Sequence, residues 1–147
     1  MCEVYRTEII RAFPYPEIEG EFFAPEALAW NSMSEHYMLR YVNQIVYYCE
    51  YLEGGLTDHI VEVRMKSPVA AMIHYSELAG YDVPFSQKIK AAINYYRFAV
   101  CRDRKTRVRG SYQGRTLSRP PKIAWYWRWT RPLGWLMHLR DLKHLRR

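Results

Sequence analysis

The sequence predicts a small, mainly helical domain that carries a basic, partly extended C-terminal arm ending in an amphipathic helix. Two observations support this prediction: apolar residues recur at helical period between residues 33 and 100, and the composition changes after residue 100. With 147 residues, 49% of them hydrophobic, the chain is long enough for one core but not for two independent ones. We therefore expect about three core helices, with room for short strands.

The strongest helical pattern follows Ser32. Ser32 and Glu35 have the spacing of a capping box, in which each side chain bonds a free backbone N–H of the first turn. Gly54–Gly55 provides the stop, so the pattern predicts a helix over 33–53. The apolar residues at helical period are Tyr37, Met38, Tyr41, Val42, Ile45, Tyr48, Cys49 and Leu52.

Two further helices are predicted before residue 100. Ser67–Pro68 predicts the start of a helix over 68–79, because a capping side chain precedes a proline at the first helical position. Ser86 is expected to cap a helix over 86–100. The buried stripe of that helix is predicted to contain Ile89, Ala92, Ile93, Tyr96 and Val100.

Two shorter stretches carry weaker patterns. Apolar and charged residues alternate over 61–66, which favours a strand or an extended connector, although Asp58 could also cap a helical turn there. Residues 4–13 are expected to form a short strand or an irregular lead-in.

Charge is segregated along the chain. Residues 101–147 contain fourteen Lys or Arg and two acids, a balance of +12, whereas 1–100 contain eight basic residues and thirteen acids, a balance of −5. Such asymmetry points to a polyanionic partner, or to a tail that folds onto another surface. We expect an acidic helical domain over 1–100, a basic extended arm over 101–122, and a Trp-rich segment with a basic amphipathic helix over 123–147.

The arm is predicted to be extended or mobile, because glycines and a Pro–Pro pair interrupt it and apolar residues are nearly absent. Basic residues spaced in this way can follow a phosphate backbone, with salt-sensitive and sequence-tolerant affinity. Tyr112 is a candidate to stack on a base. The candidate nucleic-acid-binding residues are Arg102, Arg104, Lys105, Arg107, Arg109, Tyr112, Arg115, Arg119, Lys122, Arg140 and Lys143. The alternative is that the arm docks on an acidic surface of the same chain or of a partner.

The Trp-rich segment is expected to pack into the core or an interface, because Trp is rarely left exposed. Pro132 is predicted to open a terminal helix that ends at Arg147 and carries a broad leucine face. The candidate protein-interface residues are Trp125, Trp127, Trp129, Trp135 and Leu136. A membrane surface is the weaker interpretation of this segment, because nothing supplies a second anchor.

The helices over 68–79 and 86–100 also allow a helix-turn-helix interpretation. In it, bases are read by Gln87, Lys88, Lys90 and Asn94. The connection between the helices is longer than the usual turn of about three or four residues, and simple helical hairpins are commoner. Groove recognition therefore stays an alternative.

The sequence contains no Gly-rich phosphate loop, nucleophile elbow or HExxH-type motif, and its His and Cys residues lack the paired spacing of a zinc site. We therefore expect no enzymatic activity, no metal and no cofactor. The three cysteines form no disulfide framework, and neither a signal peptide nor a transmembrane stretch is evident. These features favour a reducing, cytoplasmic location.

Two hypotheses follow. The first is a non-enzymatic nucleic-acid-associated protein that binds DNA or RNA phosphates through the arm, while the acidic domain makes protein contacts. The second is a structural or inhibitory interaction subunit that docks through the Trp-rich segment, within a larger assembly or a homo-oligomer. Small Tyr- and Trp-rich chains without catalytic motifs are expected among phage accessory proteins, which links the second hypothesis to a viral origin.

Overall fold

A computed structural model describes residues 4–50, 53–105 and 107–145. These residues form six α-helices, one 3₁₀-helix and a three-stranded antiparallel sheet, so the predicted mainly helical class is confirmed. No helix in these ranges is both long enough and apolar enough to span a bilayer. The elements are α1 (Thr7–Ala12), β1 (Glu17–Ile18), α2 (Ala27–Ser34), α3 (Ile60–Lys66), α4 (Pro68–Gly80), α5 (Phe85–Ala99), β2 (Gly110–Tyr112), β3 (Arg115–Leu117), the 3₁₀-helix (Trp125–Thr130) and α6 (Arg131–Leu145).

The core lies mainly between α4 and α5. Tyr75 of α4 and Phe98 of α5 stack with their ring centroids 5.9 Å apart, and Met72 is buried beside them. A second cluster joins α2 and α4 to the arm through Leu28, Ile73 and other buried apolar side chains. The helices predicted over 68–79 and 86–100 are confirmed to within one residue at each end.

The buried face of α5 differs from the predicted stripe. Its buried residues are Ala91, Ala92, Tyr95 and Phe98, whereas Val100 is exposed. The reason is that α5 is covered on two sides, by α4 and by α6. The alanines permit close packing, and the larger predicted residues lie half-buried at the edges.

Neither Ser67 nor Ser86 caps its helix as predicted. The Ser67 hydroxyl accepts hydrogen bonds from the backbone N–H groups of Phe22 and Phe23, each at 3.2 Å, instead of capping α4. The carboxylate of Glu21 takes its place, because it accepts the N–H groups of Val69 at 2.6 Å and Ala70 at 2.8 Å. The start of α4 therefore anchors the acidic turn that follows β1. No side chain caps α5, which follows Pro84.

The helix predicted over 33–53 is wrong. Helix α2 ends at Ser34, and residues 37–50 are non-helical and exposed; Met38, for example, is fully exposed. This stretch is rich in Tyr, Val and Ile, which have low helix propensity, and its residues belong to neither core cluster of the described chain. Ser32 is not a cap, since its hydroxyl donates to the Leu28 carbonyl within α2. The last part of the prediction, residues 51–52, lies outside the described residues.

The strand or connector favoured over 61–66 is also wrong, because α3 occupies this stretch and the alternative of a helical turn is the one observed. The strand or irregular lead-in expected over 4–13 is wrong as well, since α1 occupies most of that stretch. In α3 the side chains of Ile60 to Met65 are all half-buried. The alternation of apolar and charged residues therefore does not produce one buried and one exposed face. An ion pair between Glu62 and Lys66, one helical turn apart at 2.7 Å, favours the helix.

The arm contains a β-hairpin that completes the sheet. Strands β2 and β3 are joined by Gln113 and Gly114, whose φ angles of 49° and 70° form the two-residue turn typical of tight hairpins. Strand β2 also pairs with β1, and Gly110 is required there because a Cβ atom would overlap the Glu17 carbonyl oxygen. The basic arm is therefore extended, and it packs against the acidic N-terminal part of the same chain.

A polar network links the hairpin to α2 and α4. The Tyr112 hydroxyl donates to Glu77 at 3.2 Å, and the Gln113 amide donates to the Ser32 hydroxyl at 2.7 Å. Burial is the main cause that raises the pKa of Glu77 to about 7; the charge of Glu35 acts in the same direction, and the Tyr112 hydrogen bond opposes both. The folded protein therefore binds a proton at Glu77 that the unfolded chain releases at lower pH.

This shift predicts a loss of stability as the pH rises. The pKa of Glu77 is about 7 in the folded protein against 4.5 ordinarily, so its stabilising effect is complete below about pH 4.5 and is lost by about pH 7. Relative to Glu77→Gln, the wild type should lose about 1–2 kcal/mol of unfolding free energy between pH 5 and 8, allowing for solvent screening. Urea unfolding at several pH values measures this difference.

The exposed Glu8→Gln provides the matched control, whose difference from wild type should not follow this course. Comparing each variant with wild type cancels the opposite effect of His74, whose pKa is lowered to about 4 by burial and by the charge of Arg64. A Glu77→Gln difference that stays constant from pH 5 to 8 would contradict the prediction.

Candidate nucleic-acid interface

Helices α5 and α6 touch backbone to backbone at Gly134. A Cβ atom at this position would lie 2.7 Å from the Ile93 carbonyl oxygen, 2.7 Å from Tyr96 Cβ and 2.9 Å from the Arg97 nitrogen. Only glycine fits such a contact without displacing α6. The register of α6 on α5 is therefore fixed, and this sets where the neighbouring Trp135 and Arg131 lie.

A second contact joins the same helices two turns further along α6. The Arg97 guanidinium donates to both carboxylate oxygens of Asp141, at 2.5 and 2.7 Å, and both side chains are largely buried. Two parallel charge-assisted hydrogen bonds give strength and fix orientation. One of the two acids in the basic region is thus used inside the fold.

The arm returns to α5 after the hairpin. The Tyr95 hydroxyl donates to the Pro121 carbonyl oxygen at 2.6 Å, and Ile123 packs against the main core cluster. The segment that leads from the hairpin into the 3₁₀-helix is therefore held against the side of α5.

These three contacts leave a groove of about 730 Å³ between α5, the arm and α6. Met72, Tyr95 and Ala99 contribute apolar surface to it. The groove is also lined by Tyr96, Val100, Arg102, Arg104, Pro120, Arg131, Pro132 and Trp135. Aromatic rings and three guanidinium groups thus converge on one concave surface, which we call the arginine–aromatic groove.

The electrostatics of the tyrosines reflect these cations. Burial raises the pKa of Tyr96, and the charges of Arg128 and Arg131 oppose that rise. Burial is likewise the first cause that raises the pKa of Tyr95, and Arg102 acts against it. Positive charges therefore lie close to both phenol groups, and an anion in the groove would be attracted.

Most of the predicted arm residues are exposed. Arg102 is half-buried at the groove, and Arg104 is exposed beside it. Arg109 lies 3.9 Å from the Glu19 carboxylate, an exposed pair that contributes little. The other exposed basic candidates are Lys105, Arg107, Arg115, Arg119, Lys122, Arg140 and Lys143.

Tyr112 does not stand where base stacking requires it. Its side chain is only 8% exposed, and it packs in the second core cluster against Val69 and Ile73. Its hydroxyl bonds Glu77, so the ring holds the hairpin in place. Tyr112 is placed in the core because strand alternation turns it inward while its neighbours Ser111 and Gln113 are exposed.

The Trp-rich segment is divided between core and surface. Trp127 is buried in the 3₁₀-helix against Phe85, with ring centroids 5.9 Å apart, as packing predicts. Trp125 is 80% exposed, and Trp129 is exposed as well. Trp135 and Leu136 lie half-exposed on α6, and only Trp135 of these lines the groove.

Arg131 and Tyr96 line the groove but are absent from the residues predicted for the site. Neither position carries a local signal, because the groove forms only when α6 packs on α5. The glycine at 134, inside an otherwise regular helical segment, was the available signal, since such a glycine often marks a close backbone approach.

The residues that the helix-turn-helix interpretation assigns to base recognition lie on the first two-thirds of α5. Gln87 and Lys90 are exposed, but the Asn94 amide donates to the Lys90 carbonyl, and its oxygen accepts a hydrogen bond from Arg97. Asn94 thus bonds within its own helix in this structure. Recognition of a DNA groove by Gln87, Lys88, Lys90 and Asn94 stays a prediction.

Reactive groups are sparse in the described parts of the chain. Within residues 4–50, 53–105 and 107–145, no three His, Cys, Asp or Glu side chains cluster as metal ligands would. Cys101 lies 3.6 Å from the Nδ1 atom of His138. Burial and the charge of Asp141 raise the pKa of its thiol to about 11, against the effect of Arg97. Cys101 is therefore a weak nucleophile.

Comparison with known proteins adds no relative to this picture. No protein-family model, no curated protein and no solved structure matches the chain.

The contact at Gly134 predicts opposite effects for two glycine substitutions. Gly134→Ala should destabilise the protein by about 1–3 kcal/mol, because the new methyl group meets the backbone of α5. Gly80→Ala should be neutral or stabilising by up to about 1 kcal/mol, because its methyl group meets nothing within 4 Å. Thermal and urea unfolding measure both effects; two variants with the same sign of change would contradict the contact.

Proposed function

We propose that this chain is a non-enzymatic nucleic-acid-associated protein that binds the phosphate backbone through its basic C-terminal part. The observation that carries the proposal is the arginine–aromatic groove, together with the exposed basic side chains elsewhere on the arm. Neutralised phosphates release their counterions, which gives such a surface affinity for any polynucleotide. We place the protein in the cytoplasm, which agrees with unpaired Cys49 and Cys101 among the described cysteines.

The acidic domain is proposed to make protein contacts. A second depression, of about 580 Å³, lies on the N-terminal side and is lined by Glu17, Glu21 and Glu26 together with apolar and aromatic side chains. Phe22 on its rim is 97% exposed. An acidic depression repels phosphates, so this side suits a protein partner with a basic or apolar surface.

Charge removal in the arm tests the proposal. The variant with Arg107, Arg109, Arg115 and Arg119 all changed to Gln should bind single- and double-stranded oligonucleotides more weakly than wild type. The slope of log affinity against log salt should fall by about 0.7–0.9 for each phosphate that the variant no longer neutralises. Fluorescence anisotropy over roughly 50–300 mM salt measures both quantities.

The matched control removes four exposed positive charges from the acidic part. The variant with Arg6, Arg11, Arg40 and Lys66 changed to Gln has the same net charge as the arm variant and should bind close to wild type. Equal losses of affinity in the two variants would show that binding depends only on overall charge. Absence of binding at the lowest salt would overturn the proposal. Full-length variants are needed, because Val108, Tyr112 and Ile123 of the C-terminal part belong to the core.

The exposed Trp125 favours a second candidate function, a structural or inhibitory subunit that docks on a protein through the Trp-rich segment. An 80% exposed Trp is unusual on a free surface and typical of interface hot spots. Docking of this kind would depend on Trp125, Trp129 and Leu136 and tolerate salt, whereas phosphate binding is lost as salt increases.

A further inference from the structure

The arginine–aromatic groove offers two kinds of contact, aromatic surface and positive charge. A small inorganic anion would use only the positive charge. Tyr96 and Trp135 present aromatic surface, and Trp135 is 51% exposed. Arg102, Arg104 and Arg131 line the same groove. A nucleotide has the matching pair of features, a flat base and a phosphate linked to it by a sugar.

We propose that this groove holds an unpaired nucleotide of single-stranded nucleic acid, with the base against Trp135 and Tyr96 and the flanking phosphates at Arg102, Arg104 and Arg131. The inference rests on the proposed function and adds the form of nucleic acid that is bound. Basic channels with aromatic rings are the means by which proteins hold single strands without reading their sequence.

The stacking of bases within a duplex is the reason to expect that the groove prefers single strands. In a duplex both faces of each base are covered by its neighbours, so a ring in a groove has no free base surface to contact. A volume of about 730 Å³ is in the range of pockets that enclose a small organic molecule. An unpaired nucleotide can enter such a groove, whereas a duplex can contact only the charges on its rim.

The walls of the groove are held in place before any ligand binds. Gly134 fixes α6 on α5, the Arg97–Asp141 pair locks their orientation, and Tyr95 holds the arm at Pro121. Preorganised walls reduce the entropy that binding must otherwise overcome. The exposed arginines of the hairpin lie outside this groove and serve both forms of nucleic acid.

Replacement of Trp135 tests the stacking part of the inference. The probes are fluorescein-labelled oligothymidylate and oligouridylate of about 12 nucleotides and a duplex of the same length. Trp135→Leu should lower affinity for the single strands by roughly 5- to 150-fold, the range of one base–aromatic stack, and change duplex affinity little. The exposed Trp125→Leu, outside the groove, should leave both unchanged. Circular dichroism and thermal unfolding confirm that each variant is folded.

Replacement of arginines tests the phosphate part. Arg104→Gln, in the groove, should weaken single-strand binding more than duplex binding. Arg107→Gln, on the arm outside the groove, should weaken both by a similar factor. This pair of variants keeps the inference testable should Trp135→Leu fail to fold.

The outcomes separate the inference from the function on which it rests. Selective loss of single-strand affinity in Trp135→Leu and Arg104→Gln supports it, and the thymidylate and uridylate probes show whether single-stranded DNA and RNA are bound alike. Equal affinity of wild type for single strand and duplex, with equal effects of Arg104→Gln and Arg107→Gln, would overturn the inference and leave phosphate binding by the arm intact. Absence of binding to every probe at low salt would overturn both.

Discussion

The backbone contact between α5 and α6 at Gly134 is the constraint on which the candidate site depends. Because no side chain separates the two helices there, α6 has one register on α5. That register brings Asp141 to Arg97 and places Trp135 beside Tyr96. Helix α5 in turn packs on α4 through its small and aromatic residues, so the core and the groove share one central helix.

The arm is part of the fold and not an appendage to it. Its apolar residues Val108 and Tyr112 are buried, and its strand β2 pairs with both β1 and β3. Its arginines are exposed except for the half-buried Arg102. A basic segment fixed in this way loses less conformational entropy on binding a polyanion than a free tail would. Of the two predicted forms of the arm, extended or mobile, the structure shows the extended one, which is held by two buried side chains and by the tight Gln113–Gly114 turn.

The elements that could be predicted from the sequence are those whose signal is local. Ser67–Pro68 and Gly80 delimit α4, and Pro132 stands in the first turn of α6. The predictions that failed concern features that depend on contacts between distant parts of the chain. Residues 37–50 carry a helical apolar period, but a period stabilises a helix only where its stripe is buried, and these residues are exposed. Arg102 and Arg104 were predictable from the charge of the arm, whereas Tyr96 and Arg131 join the groove through packing that no local pattern encodes.

The segregation of charge in the sequence is kept in part in space. The acidic turn meets the hairpin through the strand pairing and the Glu19–Arg109 pair, so some basic charge lies beside acids of the same chain. The groove lies between α5, the arm and α6, and Asp141 of α6 is bonded to Arg97 of α5. Glutamates line the N-terminal depression and arginines line the groove, so the two surfaces differ in the sign of their charge. Under the proposed function, this difference would favour the approach of a polyanion to the groove over the depression.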